Sequence, residues 1–123
     1  FLCAFLAAQP FCCPADWWEN GASKKEKATA AAYLHLTGAK PTAKQLAAVK
    51  TDDARIALLR AALGSCADRA IIPMYDWLGL GAEAHLNTPG KLGGNWAWRA
   101  ANGFEEKALA KTIREECDVY CRV

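Results

Sequence analysis

The chain has 123 residues, of which 53% are hydrophobic and 23% are charged, so a fully disordered chain is excluded. The length also excludes a complete (β/α)8 barrel, which takes about 250 residues, and no apolar run approaches the roughly 18 residues that cross a bilayer. The net charge is only +2 and the 15 basic residues form no stripe, so neither nucleic acid nor a membrane is expected as a partner.

The first 20 residues show no clear period, and Pro10 and Pro14 interrupt any regular element. The apolar start, FLCAFLAA, lacks an initiator Met and a basic segment, which argues against a signal peptide. It is more typical of buried sequence separated from a larger unit. We therefore expect residues 1–16 to form an atypical N-terminal stretch, followed by one segment over residues 17–123.

The six cysteines are not spaced along the chain as those of a disulfide framework are; they are Cys3, Cys12, Cys13, Cys66, Cys117 and Cys121. They form no two pairs with zinc-ligand spacing, and His35 and His85 stand alone. We therefore expect reduced, partly buried thiols and no metal, with disulfides or a metal site as the lesser alternatives. Reduced thiols favour a cytoplasmic location.

Two capping boxes predict the first two helices. Ser-Lys-Lys-Glu at 23–26 begins an alanine-rich helix over 24–36, which Gly38 closes. Thr-Ala-Lys-Gln at 42–45 begins a short helix that ends at about residue 49.

Thr51 and Asp52 are expected to cap a third helix over 53–63. Its wide apolar stripe predicts burial on much of its circumference and consists of Ile56, Leu58, Leu59, Ala62 and Leu63. The one strand candidate is Ala70–Met74, a short, nearly continuous apolar run typical of a buried parallel strand that ends at Pro73. A single strand cannot pair its own backbone groups, so its partners are expected outside this chain.

A long loop over 79–103 carries six of the nine glycines, and a final helix over 104–120 follows, capped by Asn102. The buried stripe of that helix is expected to be Phe104, Ala108, Ile113, Cys117 and Tyr120. Long loops are often functional, and asparagine beside tryptophan suits a sugar groove, although tryptophans that fill core gaps are equally compatible with the pattern.

Two other patterns in this region have simpler explanations. Residues 79–84 fit the dinucleotide fingerprint G-x-G-x-x-A, but residues 74–78 separate them from the strand and no long helix follows. Asp76 and Glu83 can be read as a glycosidase carboxylate pair. The favoured interpretation is that Asp76 begins a turn and that Glu83 binds nearby loop backbone.

Residues 72–90 contain Pro-Met-x-Asp, Leu-Gly and Asn-Thr-Pro-Gly, and residues 93–99 contain Gly-Asn-Trp-x-Trp-Arg. In this order and spacing they resemble the C-terminal signature of the 4-α-glucanotransferases (amylomaltase or disproportionating enzyme). Asp-Trp-Trp-Glu at 16–19 and the helix that follows also resemble the family. The resemblance runs from about Trp17 to the end of the chain.

The resemblance implies an α/β fold, here the C-terminal fragment of a (β/α)8 barrel, mostly helical with one clear strand near Ala70–Met74. It implies retaining transfer of α-1,4-glucan segments between maltodextrins, starch or glycogen, catalysed by carboxylates without a metal or organic cofactor. The family's nucleophile and acid/base lie upstream, and its third aspartate belongs to a His-Asp-Asn stretch that residues 9–16 lack. No catalytic residue carries over. The chain alone is therefore expected to be inactive, with the missing N-terminal barrel portion as its partner.

The resemblance assigns binding of the α-1,4-glucan to five positions, which are Asn87, Pro89, Gly90, Asn95 and Trp96. The first three match the loop that borders the bound glucan, and the last two match the piece that anchors this loop. Asn87 is the foremost candidate for direct sugar contact, whereas the two tryptophans of Gly-Asn-Trp-x-Trp can equally pack beneath the loop. His85 stands where arginine is common, and Arg99 is expected to pair with a loop carboxylate such as Glu83.

Two alternative functions remain open. The chain can be a non-catalytic glucan-binding remnant, or a small helical interaction protein whose exposed apolar faces need a partner. Affinity for long maltodextrins indicates the first of these. Self-association without a response to glucan indicates the second.

Overall fold

The computed structural model describes residues 3–5, 13–88, 90 and 92–122. The elements in these ranges are β1 (Cys3–Phe5), α1 (Pro14–Asp16), α2 (Lys24–Tyr33), α3 (Ala43–Ala47), α4 (Thr51–Leu63), β2 (Arg69–Ile71), α5 (Met74–Trp77) and α6 (Lys107–Val119). A π-helical turn, Trp17–Gly21, continues α1, and a 3-10 turn, Ala82–Ala84, lies in the loop after α5. Within this part of the chain no helix is long and apolar enough to cross a membrane.

The two strands β1 and β2 pair in parallel, with Ala4 opposite Ala70. The predicted strand is present but shorter than expected, running only from Arg69 to Ile71. Pro73 cannot extend it because its nitrogen carries no hydrogen for the ladder, and α5 begins at the next residue. The expectation that every partner of this strand lies outside the chain is wrong, because β1 supplies one from the apolar start.

Both predicted capping boxes are confirmed. The backbone N–H of Ser23 donates to Glu26 Oε2 at 2.8 Å, and the N–H of Glu26 donates to Ser23 Oγ at 3.3 Å. Thr42 and Gln45 repeat the arrangement at 2.9 and 3.3 Å. Each box satisfies two helix-end donors within four consecutive residues, so α2 and α3 begin where the local sequence places them.

The end of α2 differs from the prediction. The helix stops at Tyr33, and His35 turns the chain with a φ of 57°, in the left-handed region. The N–H of Leu36 then donates to the carbonyl oxygen of Ala31 at 2.9 Å, the bond that defines a Schellman motif. The expected role of Gly38 as the closing residue is therefore wrong.

The start of α4 is capped differently from the prediction. Lys50 is the N-cap residue and makes no side-chain capping bond. The hydroxyl of Thr51 instead donates to Glu19 Oε1 at 2.9 Å, which ties α4 to the π-helical turn. The expected apolar stripe is confirmed in part, since Leu59, Ala62 and Leu63 are buried while Ile56 and Leu58 are half-buried.

The last helix is shorter and more exposed than expected. It begins at Lys107 behind an N-cap without a side-chain capping bond, so the predicted cap at Asn102 is wrong. The predicted buried stripe is confirmed only in part: Ala108 is exposed, and the other members are half-buried instead of buried. In the described part of the chain α6 lies on the surface. The ion pair between Arg60 Nη2 and Glu116 Oε1, at 2.6 Å, joins it to α4.

Buried side chains form two clusters that join elements distant in sequence. The first cluster joins the π-helical turn to α2 and α4 through Trp18, Ala31 and Ala54. The second joins α1 to α5 and the 3-10 turn through Cys13, Tyr75 and Ala84. The second cluster lies directly under the start of the long loop.

Arg55 connects α4 to α5 with a buried guanidinium group. Its Nη1 donates to the carbonyl oxygens of Asp76 at 2.7 Å and Trp77 at 3.3 Å, and its Nε donates to Asp52 Oδ1 at 3.0 Å. Gly79 follows with a φ of 70°, and a Cβ atom there would come within 3.3 Å of Nε. The guanidinium therefore positions the first residues of the long loop.

Replacing Arg55 by alanine should lower the free energy of unfolding by about 1–3 kcal/mol, because buried carbonyl groups lose their donors. Urea denaturation followed by circular dichroism measures the change. Arg114→Ala is the matched control, since its contact with Asp118 Oδ1 is 4.0 Å long and exposed. It should cost less than about 0.5 kcal/mol. Equal losses for the two variants would show that Arg55 does not hold α4 to α5.

Candidate functional site

Two hydrogen bonds between described residues close the base of the long loop. The backbone N–H of Trp96 donates to the carbonyl oxygen of Leu86. The N–H of Thr88 donates to Asn95 Oδ1 at 2.8 Å. Leu92, which lies between these bonds along the chain, is fully exposed. The Asn95 side chain therefore fixes the two ends of the intervening segment beside each other.

The backbone of this loop presents Trp96 to solvent. Gly90, Gly93 and Gly94 have φ values of 79°, 85° and 76°, which side chains rarely adopt. Trp96 itself has a φ of 62° and is 63% exposed. A left-handed conformation costs a residue with a side chain about 1–2 kcal/mol, so the surrounding hydrogen bonds must hold the indole in this position.

Trp98 packs beneath the loop, unlike Trp96. Its ring meets the buried ring of Tyr75 edge-on, with centroids 5.8 Å apart and an interplanar angle of 89°. The interpretation that the tryptophans pack under the loop therefore holds for Trp98 and fails for Trp96.

Arg99 and Glu83 bind different partners instead of each other. Arg99 Nη1 donates to the carbonyl oxygens of Trp96 at 2.9 Å and Trp98 at 2.8 Å. Glu83 Oε1 accepts the backbone N–H of Gly81 at 2.9 Å, as the interpretation without catalysis predicted. The expected Arg99–Glu83 pair is therefore wrong, and both side chains stabilise the backbone of the loop.

Four of the five predicted binding positions can be placed. Asn87 and Asn95 are half-buried at the base of the loop, and Trp96 is exposed. Gly90 is exposed farther along the loop, and Pro89 lies outside the described residues. The hydrogen bonds at the loop base bring residues 86–88, which include Asn87, beside Asn95 and Trp96.

Asp76 carries a fully buried carboxyl group in α5, the short helix that follows β2. It is 0% exposed, and neither carboxyl oxygen has a hydrogen-bond partner within the described ranges. Burial raises the pKa of Asp76 from 3.8 to about 7, while the charge of Arg55 acts in the opposite direction. Asp76 is the third residue of α5, and its carbonyl oxygen accepts the backbone N–H of Gly79 at 3.3 Å, which is the predicted turn after the strand. The burial of its carboxyl group was not anticipated.

The raised pKa predicts how stability depends on pH. The folded chain keeps a proton on Asp76 between about pH 4 and pH 7 that the unfolded chain has lost, so stability falls as the pH rises through this window. Asp76→Asn should remove this component and make the chain more stable than the wild type at pH 8. Urea denaturation at several pH values measures the difference between the two profiles.

Asp68→Asn is the control for this experiment, because Asp68 is exposed. Its pH profile should match that of the wild type. If the wild type and Asp76→Asn show the same dependence of unfolding free energy on pH between about pH 4 and pH 7, Asp76 is not a buried, protonated carboxyl group.

A second polar cluster joins α1 to the residue after the 3-10 turn. Cys13 Sγ lies 3.6 Å from His85 Nε2, and Asp16 Oδ2 lies 3.6 Å from the same nitrogen. Cys13 is 1% exposed, and burial raises its thiol pKa to about 11. The expectation that His85 stands alone is wrong, because a contact across 72 residues leaves no trace in local sequence.

The cysteines that can be assessed agree with the expectation of reduced thiols. Cys13 is buried, Cys117 is half-buried, and Cys66 and Cys121 are exposed, and all four are free. Cys12 and the side chain of Cys3 lie outside the described residues.

A parallel strand that leads into a long glycine-rich loop, with polar and aromatic side chains at the loop base, is typical of ligand-binding segments in α/β enzymes. A family model described as 4-alpha-glucanotransferase matches residues 13–105, most of the chain. The chain belongs to this family.

Individual relatives agree with the family match. The chain is 40% identical over 110 residues to the chloroplastic/amyloplastic 4-alpha-glucanotransferase of Arabidopsis thaliana, covering 87% of this chain and 17% of the relative. It is 32% identical over 106 residues to the 4-alpha-glucanotransferase of Clostridium butyricum, covering 86% of this chain and 19% of the relative. It is 36% identical over 86 residues to the 4-alpha-glucanotransferase of Thermus thermophilus, and the match covers 70% of this chain and 16% of the relative. The chain thus spans less than one fifth of the length of these relatives.

Proposed function

We propose that this chain supplies a glucan-binding loop to a cytoplasmic 4-α-glucanotransferase that transfers α-1,4-glucan segments between maltodextrins, starch or glycogen with retention. The observation that carries the proposal is the loop base, where two hydrogen bonds bring residues 86–88 beside residues 95–96, a set that includes Asn87, Asn95 and the exposed Trp96. Amide groups can exchange hydrogen bonds with sugar hydroxyls, and an exposed indole offers a flat apolar face to the C–H side of a glucose ring.

We infer that β1 and β2 are neighbouring strands of a (β/α)8 barrel. Their parallel pairing supports this inference, because strands of such a barrel are all parallel. The active sites of these barrels lie at the carboxyl ends of the strands. Asp76 and the long loop follow the carboxyl end of β2, so they are on the side where a glucan would bind.

The catalytic carboxylates of this reaction come from outside the chain in our proposal. A retaining mechanism needs two carboxyl groups about 5–5.5 Å apart on either side of the scissile bond. Glu83 is occupied by the backbone of Gly81, and Asp76 is enclosed without exposure. In our proposal the chain's own residues therefore bind and orient glucan, while a barrel portion outside this chain supplies the nucleophile and the acid/base.

Trp96→Ala should weaken the binding of maltoheptaose by about tenfold, corresponding to about 1.4 kcal/mol, because the stacking face is lost. Isothermal titration calorimetry measures the affinity. Tyr33→Ala is the matched control, since Tyr33 is an aromatic residue that is 76% exposed on α2. It should leave the affinity unchanged. Equal effects of the two variants, or none at Trp96, would contradict the assignment of the loop base.

The chain by itself should not disproportionate maltotriose, because our proposal takes the two reacting carboxylates from outside the chain. Chromatography of the products after prolonged incubation with maltotriose tests this, with a full-length 4-alpha-glucanotransferase as the positive control. Detection of longer maltodextrins would show that the chain contains its own catalytic groups. Binding of maltoheptaose without turnover is the expected combined result.

A further inference from the structure

Three side chains with different metal-binding atoms meet where α1 contacts the base of the long loop. Cys13, Asp16 and His85 each offer one such atom, and all three atoms lie within 4.8 Å of one another. Cys13 is the N-cap residue of α1 and Asp16 is its third residue, so the Cys-x-x-Asp spacing puts both on the first helical turn. His85 is the residue that follows the 3-10 turn, 72 positions after Cys13.

The separation of sulfur and nitrogen matches that of two ligands around a tetrahedral ion, and the separation of nitrogen and oxygen is slightly longer. With Zn–S of about 2.3 Å and Zn–N of about 2.0–2.1 Å, a tetrahedral angle of about 109° places sulfur and nitrogen about 3.5–3.6 Å apart. The Cys13 Sγ to His85 Nε2 distance is 3.6 Å. The same construction gives about 3.3–3.5 Å for a nitrogen and a carboxylate oxygen, and the distance between His85 Nε2 and Asp16 Oδ2 is 3.6 Å.

The surroundings orient the Asp16 carboxylate toward His85. Asn20 Nδ2 donates to Asp16 Oδ1 at 2.8 Å, and Asp16 Oδ2 lies 3.6 Å from His85 Nε2. Such an outer hydrogen bond is the usual support of a metal-binding carboxylate.

We propose that Cys13, Asp16 and His85 bind a zinc ion, with water as the fourth ligand. The donor set combines thiolate, imidazole and carboxylate, which suits zinc and excludes the oxygen-binding Ca²⁺ and Mg²⁺. Binding replaces the proton of the Cys13 thiol, and this proton passes to solvent.

The ion would link α1 to the loop base, because Leu86 directly follows His85 and accepts the backbone N–H of Trp96. Its role in our proposal is therefore structural. Zinc should raise the thermal stability of the chain in proportion to the logarithm of its free concentration above the dissociation constant.

Cobalt substitution and X-ray absorption test the site on the full chain. After treatment with a chelator, one equivalent of Co²⁺ should produce a sulfur-to-cobalt charge-transfer band and the intense visible bands of tetrahedral cobalt. The X-ray absorption fine structure of the zinc-loaded chain should show one sulfur at about 2.3 Å and nitrogen or oxygen ligands at about 2.0–2.1 Å. Absence of the charge-transfer band, or a first shell with no sulfur or with several, overturns the proposal.

Variants assign the ligands by competition for zinc with a chromophoric chelator. Cys13→Ser and His85→Arg should each lower the zinc affinity by about 100-fold or more, and Asn20→Ala by about tenfold, because loss of an outer-shell partner typically costs about 10- to 100-fold. Cys66→Ser and His35→Asn are the matched controls, since both residues are exposed elsewhere, and they should change nothing. Equal losses in the controls overturn the proposal. If Cys13→Ser does not fold, the zinc affinity of His85→Arg and the ligands seen by X-ray absorption in the unmodified chain still test the proposal.

Discussion

The guanidinium group of Arg55 is the constraint on which the candidate site depends. A chain that turns from β2 into α5 and then into a loop leaves backbone carbonyl groups that no regular element can pair. Arg55 supplies the donors from α4, at 2.7 Å to Asp76 and 3.3 Å to Trp77, while Asp52 balances its charge. An arginine suits this position because its fixed fork of donors can bind several acceptors at once.

The order that Arg55 imposes extends to the exposed loop. With α5 held, Tyr75 is buried beneath the loop and gives Trp98 a ring to pack on. The backbone on either side of Trp98 then carries the Arg99 contacts and the bonds that close the loop base. The exposed Trp96 is thus supported by a series of contacts that begins in α4. A binding surface on a loop needs such support because loops alone are mobile.

A second arginine plays a comparable part at the other end of β2. Arg122 donates to the carbonyl oxygens of Leu63 at 2.8 Å, Ser65 at 2.7 Å and Ala67 at 2.5 Å, where α4 ends and the chain turns toward the strand. The two ends of α4 are therefore tied to different parts of the chain by charged side chains. Few large apolar side chains are fully buried, and Tyr75 and Leu59 are the largest in the described part. Directed polar contacts consequently carry much of the tertiary organisation.

The sequence by itself determined the features that depend on neighbouring residues. The capping boxes at Ser23 and Thr42 need only a side chain and an amide three residues apart, and both formed. The approximate place of β2 followed from its apolar run and from Pro73. The family was predicted from the order and spacing of motifs within the continuous stretch of residues 72–99, and the family match confirmed this prediction.

Only the tertiary structure decided which distant groups meet. β1 is too short to show a period, so its pairing with β2 could not be predicted. The hydroxyl of Thr51 does not cap α4 but donates to the carboxylate of Glu19, 32 residues away. The His85 ring contacts the Cys13 sulfur, 72 residues away in sequence. Burial of Asp76 likewise depends on what covers it. Local hydrogen bonds are set by covalent connection, whereas these contacts exist only after packing has brought separate segments together, which local sequence patterns do not encode.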